Sequence, residues 1–302
     1  MSTGGKNFVS IGCPLCSATE HKKKFSVFHS KSNVLKIIGI EGENPLADIV
    51  ECGACGHSYM TPVLKDELLS RYYSVLNSEF YTGNNDAPVN INQKEYRDYT
   101  AEIKKLKPSG RILEIGCGNG FLLKALESAG YDCYGVEPSP VAYAHAKNVL
   151  GLKVENGFLD QTPFFNQQFD IVILIDVVEH ITDMRSFMAQ VKQVMSDGAI
   201  IFIGTGNIDS LNAKIAGSDW GYFLSWEHVS FFNRKSMQQM LEGNNFSEIN
   251  IRETSLQHRP LQNISEFGKN LFKKLVNPFL RSKYYHGITY DHFIVTAKYN
   301  RA

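Results

Sequence analysis

From Asn92 onward the chain alternates between two patterns. Short apolar runs stand at Arg111 to Ile115, Asp132 to Val136, Leu152 to Glu155, Asp170 to Ile175 and Ala199 to Ile203. Runs this short and this continuously apolar predict strands covered on both faces. Between them the apolar positions recur at helical spacing. Helices are predicted over Asn92 to Lys107, ending before Pro108, in the stretch that closes at Gly130, over Pro140 to Leu150 and Asp183 to Met195, and after Arg234. Strands alternating with helices imply a parallel sheet with helices on both sides. Glu248 to Arg252 and Phe293 to Lys298 are two further candidate strands. The expected fold is a seven-stranded, doubly wound α/β sheet.

The first 82 residues read differently. They hold two C-x-x-C pairs, Cys13/Cys16 and Cys52/Cys55, and a tyrosine-rich stretch running from Arg71-Tyr72-Tyr73 to Glu79-Phe80-Tyr81. A polar, breaker-rich segment, Gly83-Asn84-Asn85-Asp86-Ala87-Pro88, separates them from the alternating region. The expected organisation is a module over 1–82, a linker over 83–91 and an α/β domain over 92–302. Each C-x-x-C turn converges two thiolates on one point, so the two pairs can close a tetrahedral four-thiolate zinc site at Cys13, Cys16, Cys52 and Cys55. The other reading of these cysteines is two redox-active pairs. The 35 residues between the pairs are more than a zinc ribbon usually has. His57 follows the second pair and is superfluous beside four thiolates. Zinc would stabilise a region with too few apolar residues for a core of its own. Cys117 and Cys133 read as small buried fillers.

Charge and hydropathy narrow the class. Lys plus Arg and Asp plus Glu both number 31, so no net field draws the protein towards nucleic acid. The N-terminus lacks a charged-then-apolar leader, and the longest apolar run, Ile171 to Ile175, is far shorter than a membrane span. A soluble, cytoplasmic protein is expected. An amphipathic pattern over 264–282 sets Phe267, Leu271, Phe272, Leu275, Val276 and Phe279 among Lys269, Lys273 and Lys274. It reads as a core or dimer helix, or as one lying on a membrane or over an active site.

The segment richest in chemistry is Leu113-Glu114-Ile115-Gly116-Cys117-Gly118-Asn119-Gly120. A strand ends in a glycine loop and a helix follows, which lets a ligand approach the backbone at the carboxyl edge of a sheet. The glycines also suit a plain tight turn. The spacing is G-x-G-x-G after Glu114, not the G-x-G-x-x-G of dinucleotide folds. Glu137 ends the second strand, where a carboxylate can accept from both hydroxyls of a ribose. The fourth strand runs into Asp176-Val177-Val178-Glu179-His180.

With LEIGCGNG, YGVEPS, the block TPFFNQQFDIVILIDVVEHI and WEHVSFFNRKSMQQML in place, the chain resembles class I S-adenosylmethionine-dependent methyltransferases. Within them it is similar to the group of the ubiquinone-biosynthesis O-methyltransferases and to natural-product and surface-sugar methyltransferases, some with N-terminal zinc knuckles. The resemblance implies a Rossmann-like methyltransferase sheet and S-adenosylmethionine as cofactor. It implies that Glu114, Gly116, Gly118, Gly120 and Asp176 line the cofactor, that Glu137 holds its ribose, and that Pro138 and Leu159 flank its adenine. Many relatives have Gly-Asp where this chain has Gly157-Phe158. Phe158 cannot accept from the adenine amino group and would pack on the ring.

A hydroxyl acceptor must also lose a proton. Glu179, His180 and His228 are the candidate catalytic residues, with histidine the natural general base near neutrality. The D-x-x-E-H spacing with a distant His also resembles metal-dependent members of the superfamily. That resemblance implies a second divalent metal at Asp176, Glu179, His180 and His228. A purely structural Glu-His pair is the plainer alternative. The expected partner is a small-molecule acceptor, a sugar or a biosynthetic intermediate. An RNA methyltransferase gripping its substrate through the zinc module, or a non-catalytic scaffold of the same fold, are the competing functions. Neutral charge and the lack of an N/D-P-P-Y/F motif speak against the first, and the intact glycine loop and Glu137 against the second.

Overall fold

The computed structural model describes residues 6–29, 33–43, 45–75, 94–254 and 291–301. The predicted linker over 83–91 and the amphipathic pattern over 264–282 lie outside them, as do Phe80 and Tyr81. The first region contributes strands β1 (Phe8–Val9), β2 (His21–Val27), β3 (Ala47–Cys52), β4 (Ser58–Thr61) and β5 (Val63–Leu64). The second contributes β6 (Arg111–Ile115), β7 (Asp132–Glu137), β8 (Lys153–Asn156), β9 (Phe169–Ile175), β10 (Met195–Gly206), β11 (Ser230–Phe231), β12 (Phe246–Thr254) and β13 (His292–Tyr299).

The large sheet has seven strands in the order β12-β13-β10-β9-β6-β7-β8. Strands β8, β7, β6, β9 and β10 are parallel, and β13 runs antiparallel to both its neighbours. The chain winds from β6 outward through β7 to β8, then returns to the other side of β6 as β9. That reversal opens a crevice at the carboxyl ends of β6 and β9, where open α/β sheets bind ligands. The middles of the two central strands, Ile112–Leu113 of β6 and Ile171–Leu174 of β9, are apolar because both faces of the sheet are covered. Ile112, Leu113, Ile171, Val172, Ile173 and Leu174 are all within 1% of complete burial, each stabilising the fold by about 1.5–3 kcal/mol.

Helix starts follow local chemistry that the sequence displays. Asp183 accepts from Ser186 N at 3.1 Å ahead of helix Met184–Gln193, and Asn233 accepts from Ser236 N at 2.8 Å ahead of helix Arg234–Glu242. Ser139 caps Pro140–Ala144 with proline at the first turn. The helix expected to run on to Leu150 changes there to a π-turn over His145–Val149, closed by Leu150 N donating to His145 O at 3.2 Å. Strand β10 begins earlier than its apolar run, at Met195, with a register shift between Met195 and Ile200.

The N-terminal sheet is completed by a strand from the other end of the chain. Its order is β11-β4-β3-β2, with Ser230 opposite Tyr59 and Phe231 opposite Ser58. Its core is shared in the same way. Phe8, Ile49, Met60, Leu64 and Tyr72 pack in one cluster with Trp220, Phe223, Trp226 and Phe231. The apolar shortage of the first 82 residues is met by residues 213–231, the segment that also carries His228. No helix among the described residues is long and apolar enough to cross a membrane.

Candidate active site

The four cysteines meet as expected. Cys13 Sγ lies 3.5 Å from Cys55 Sγ, Cys16 Sγ lies 3.5 Å from Cys52 Sγ, and all four sulfurs lie within 4.8 Å of one another. Zinc–thiolate bonds of about 2.3 Å in a tetrahedron require sulfurs about 3.8 Å apart, so this donor set fits zinc. The backbone N–H groups of Leu15 and Cys16 point at Cys13, and those of Ala54 and Cys55 at Cys52, as knuckle turns do. His57 stands outside the cluster. It is buried against Phe232, and burial holds its imidazole down at about 3. Cys117 and Cys133 are buried fillers.

At the crevice, the loop after β6 is built by hydrogen bonds across to β7. Gly116 N and Cys117 N both donate to Val136 O, at 2.8 and 3.1 Å, and Gly120 N donates to Cys117 O at 2.9 Å. Gly116, Gly118 and Gly120 have φ of 75°, 52° and 81°, the left-handed region that favours glycine. At Gly120 space demands glycine too: a Cβ there would stand 2.7 Å from Leu152 Cδ1. Glu137, at the end of β7, ties the loop down. Its Oε2 accepts from Gly118 N at 2.8 Å and its Oε1 from Ser139 N at 2.7 Å. A carboxylate oxygen accepts more than one donor, so a carboxylate at the crevice is suited to receive the hydroxyls of a ligand.

Glu114 is buried beneath this loop, and its Oε2 has no hydrogen-bond partner. Burial, and then the charge of Glu137, push its carboxyl up to about 8. A buried carboxylate oxygen without a donor is costly, and a polar ligand in the crevice would relieve it. Pro138, Phe158 and Leu159 follow the ends of β7 and β8. Leu159 is buried, while Phe158 keeps 40% of its surface exposed. The glycine cradle, the Glu137 carboxylate at the end of β7 and the Glu114 Oε2, which has no partner among the described residues, together fit a nucleoside-type cofactor.

Across the crevice, β9 ends in Asp176, held at φ 51°, a left-handed conformation that Asp tolerates better than most residues. Its surface is open to the crevice; the surrounding protein and the neighbouring Glu179 charge nonetheless push its carboxyl up to about 7. Glu179 is buried and accepts from Thr205 Oγ1 at 2.9 Å. His180 and His228 stand with ring centroids 4.8 Å apart. His228 Nδ1 lies 3.0 Å from the Tyr222 carbonyl, and His180 Nδ1 lies 3.0 Å from the Glu227 carbonyl and 3.0 Å from Tyr73 Oη. A carbonyl only accepts, so each Nδ1 donates, and in the neutral ring of His228 Nε2 keeps its lone pair; a second carbonyl, that of Asp176, also faces the His180 ring. Burial, and then His228, pull His180 down to about 3.

One atom from each of Glu179, His180 and His228 lies within 4.8 Å of the other two, close enough for a single divalent cation after a small contraction. Asp176, expected as the fourth ligand, is not part of this group. Its left-handed backbone turns it towards Tyr222, whose hydroxyl donates to Asp176 Oδ1 at 3.2 Å. Tyr222, Thr205, Asp291 and His292 belong to the crevice yet escaped the sequence reading. They come from separate segments, and no spacing within any of them signals the site. From the tyrosine-rich stretch of the first region, Tyr73 reaches His180, whereas Tyr72 is buried in the core.

A family profile described as a methyltransferase domain matches residues 90–250, more than half of the chain. A ubiquinone biosynthesis O-methyltransferase of Azorhizobium caulinodans is 31% identical over 140 residues, 43% of this chain and 54% of that protein. One from Aliivibrio fischeri is 26% identical over 219 residues, 68% of this chain and 89% of that protein. The chain spans about half the length of most such curated relatives, 47% to 54%. Among solved structures, a magnesium protoporphyrin IX methyltransferase from Synechocystis, with bound S-adenosylhomocysteine, aligns with a TM-score of 0.50 at 18% identity. It covers 78% of this chain and 100% of its own. That likeness is one of fold.

Proposed function

The chain belongs to the methyltransferase domain family, and on that premise we propose that it transfers the methyl group of S-adenosylmethionine to a hydroxyl of a small molecule, a sugar or a biosynthetic intermediate. The observation that carries this reading is the crevice at the β6/β9 reversal. A glycine cradle and two buried carboxylates stand on one side of it, and two adjacent histidines whose Nδ1 atoms donate to backbone carbonyls on the other. The relatives named as O-methyltransferases support an oxygen acceptor.

When bound, S-adenosylmethionine supplies a methyl group activated on a sulfonium, so transfer is an in-line displacement governed by positioning and exclusion of water. The backbone of Gly116, Gly118 and Gly120 makes room for the cofactor. Glu137 accepts from its ribose, and Pro138, Phe158 and Leu159 flank its adenine. Glu114 and Asp176 offer carboxylate oxygens towards its polar end. His228 takes the acceptor's proton on Nε2 while its Nδ1–H stays on the Tyr222 carbonyl, which fixes the tautomer. His180, held neutral by burial, orients the acceptor beside it. Zinc held by Cys13, Cys16, Cys52 and Cys55 would fasten the region that delivers Tyr73 and packs against Trp226.

A second reading is favoured by the close grouping of Glu179, His180 and His228: these residues would hold a divalent cation that polarises the acceptor hydroxyl. One experiment tests both. The protein is incubated with methyl-labelled cofactor and a panel of catechols, hydroxybenzoates and sugar nucleotides. His228→Ala is expected to lower turnover roughly 10²–10⁴-fold with S-adenosylhomocysteine affinity retained. Turnover that resists brief chelation, with zinc content checked afterwards, identifies the base. Loss on chelation that Mg²⁺ or Mn²⁺ restores identifies the metal. Full activity in both His180→Ala and His228→Ala refutes both mechanisms.

A further inference from the structure

Tyr222 joins three parts of the crevice that lie far apart in sequence. Its hydroxyl lies 3.2 Å from Asp176 Oδ1 and 3.0 Å from Glu179 Oε1. His292 Nε2 stands 3.0 Å from the same hydroxyl, and His292 Nδ1 stands 2.7 Å from Asp291 Oδ1. Asp291 is held in turn by Asn212 Nδ2, which donates to its Oδ2 at 3.2 Å. The Tyr222 carbonyl accepts from His228 Nδ1 at 3.0 Å. Its ring lies between Trp220, 4.9 Å away and tilted 15°, and His228, 4.6 Å away and tilted 28°. The ring fits because β10 ends in Gly206: a Cβ there would stand 2.5 Å from Tyr222 Cε1.

A phenol has one proton to give and two lone pairs. With its proton on a carboxylate, its contact to His292 is satisfied only if Nε2–H donates. The Asp291 carboxylate on Nδ1 favours that doubly protonated ring. The hydroxyl is therefore gripped from behind and presents a fixed donor to the carboxylates at the end of β9. The same residue holds His228 through atoms on its other side.

We propose that Tyr222, anchored by the Asp291–His292 pair, is a positioning residue for methyl transfer: its hydroxyl sets the reach of Asp176 and Glu179, and its ring and carbonyl set the plane and tautomer of His228. This rests on the reading that His228 and the β9 carboxylates face the acceptor. Asp291 and His292 are thereby drawn into the site from β13, an outer part of the fold with no contact to the glycine loop in its strand pairing.

Tyr222→Phe tests the hydroxyl alone, since it keeps the ring between Trp220 and His228. S-adenosylhomocysteine affinity, measured by calorimetry, is expected within about twofold of wild type, because the glycine loop and Glu137 are untouched. Turnover with an acceptor from the panel is expected to fall at least about 30-fold with KM little changed. His292→Gln should fall similarly, and the double variant no further, because both act through one hydroxyl. Should Tyr222→Phe lose cofactor affinity, His292→Gln alone carries the kinetic test. Turnover within about threefold of wild type overturns the proposal. If no acceptor in the panel turns over, the functional reading fails by itself, and ring ¹⁵N NMR decides the positioning. Tyr222→Phe should then move the ring nitrogens of His292, and Tyr222→Ala, which also removes the ring, those of His228. An unmoved His292 in the first or an unmoved His228 in the second overturns it.

Discussion

Glu114→Gln separates the cost of the crevice in the empty protein from its use when occupied. Glu114 is 4% exposed, its Oε2 has no donor, and its carboxyl is raised from 4.5 to about 8 by burial and by Glu137. The folded value lies above the unfolded one, so the unfolded chain releases this proton first. Stability from this group is complete below about pH 4.5 and is lost as pH rises through about 8. Between those two values each pH unit costs the folded state about 1.4 kcal/mol, so the empty protein forgoes roughly 3 kcal/mol at pH 7. Gln removes the charge but brings a buried N–H of its own, costing about 1–2 kcal/mol. The net gain is therefore expected at roughly 1–2 kcal/mol at pH 7 and roughly 2–4 kcal/mol near pH 8. The slope is the cleaner observable. Denaturant unfolding of zinc-loaded, cofactor-free protein at pH 5, 6, 7 and 8 should show wild type losing up to about 1.4 kcal/mol per pH unit relative to the variant. Meanwhile, at pH 8 and above, where Glu114 ionises, the variant should bind S-adenosylhomocysteine at least about tenfold more weakly, having lost a charged acceptor. Parallel stability curves from pH 5 to 8 would refute the reasoning, since Glu114 would then ionise at its ordinary value.

Three further outcomes are expected. Glu137→Ala should weaken S-adenosylhomocysteine binding by about 1.5–3 kcal/mol or more, because the loop also loses its tie at Gly118 N; calorimetry showing unchanged affinity contradicts the ribose assignment. Elemental analysis of protein purified without chelator should find one zinc per chain, and none in Cys52→Ser. Because the first region shares its core with Trp220, Trp226 and Phe231, that variant should lose acceptor turnover while retaining cofactor affinity; zinc-free wild type sinks the prediction. Gly120→Ala places a Cβ at φ 81° and 2.7 Å from Leu152, so it should destabilise the domain by about 2 kcal/mol or more and weaken cofactor binding; a neutral result in denaturant unfolding would show that the loop yields.

Much of this protein is legible along the chain because its determinants are local. A continuous apolar run needs no distant information to become a covered strand, and β6, β7 and β9 stand where their runs stand. The cap residues Asp183 and Asn233 act within one helical turn. Gly116, Gly118 and Gly120 are legible because left-handed backbone leaves little choice of residue. Four cysteines in two knuckles announce a metal because few other arrangements use thiols at that spacing. What only the tertiary structure decided depends on partners with no sequence relation to one another. No periodicity tells that Ser230–Phe231 would extend the N-terminal sheet, because a two-residue strand carries no pattern of its own. Asp176 fits a metal motif by spacing, yet at a left-handed backbone its carboxylate meets the Tyr222 hydroxyl and stands outside the group of Glu179, His180 and His228. Tyr222 and His292 look like ordinary residues of a turn and the start of a strand. They become a site because the fold closes β13 against β10 and leaves, at Gly206, room for one ring.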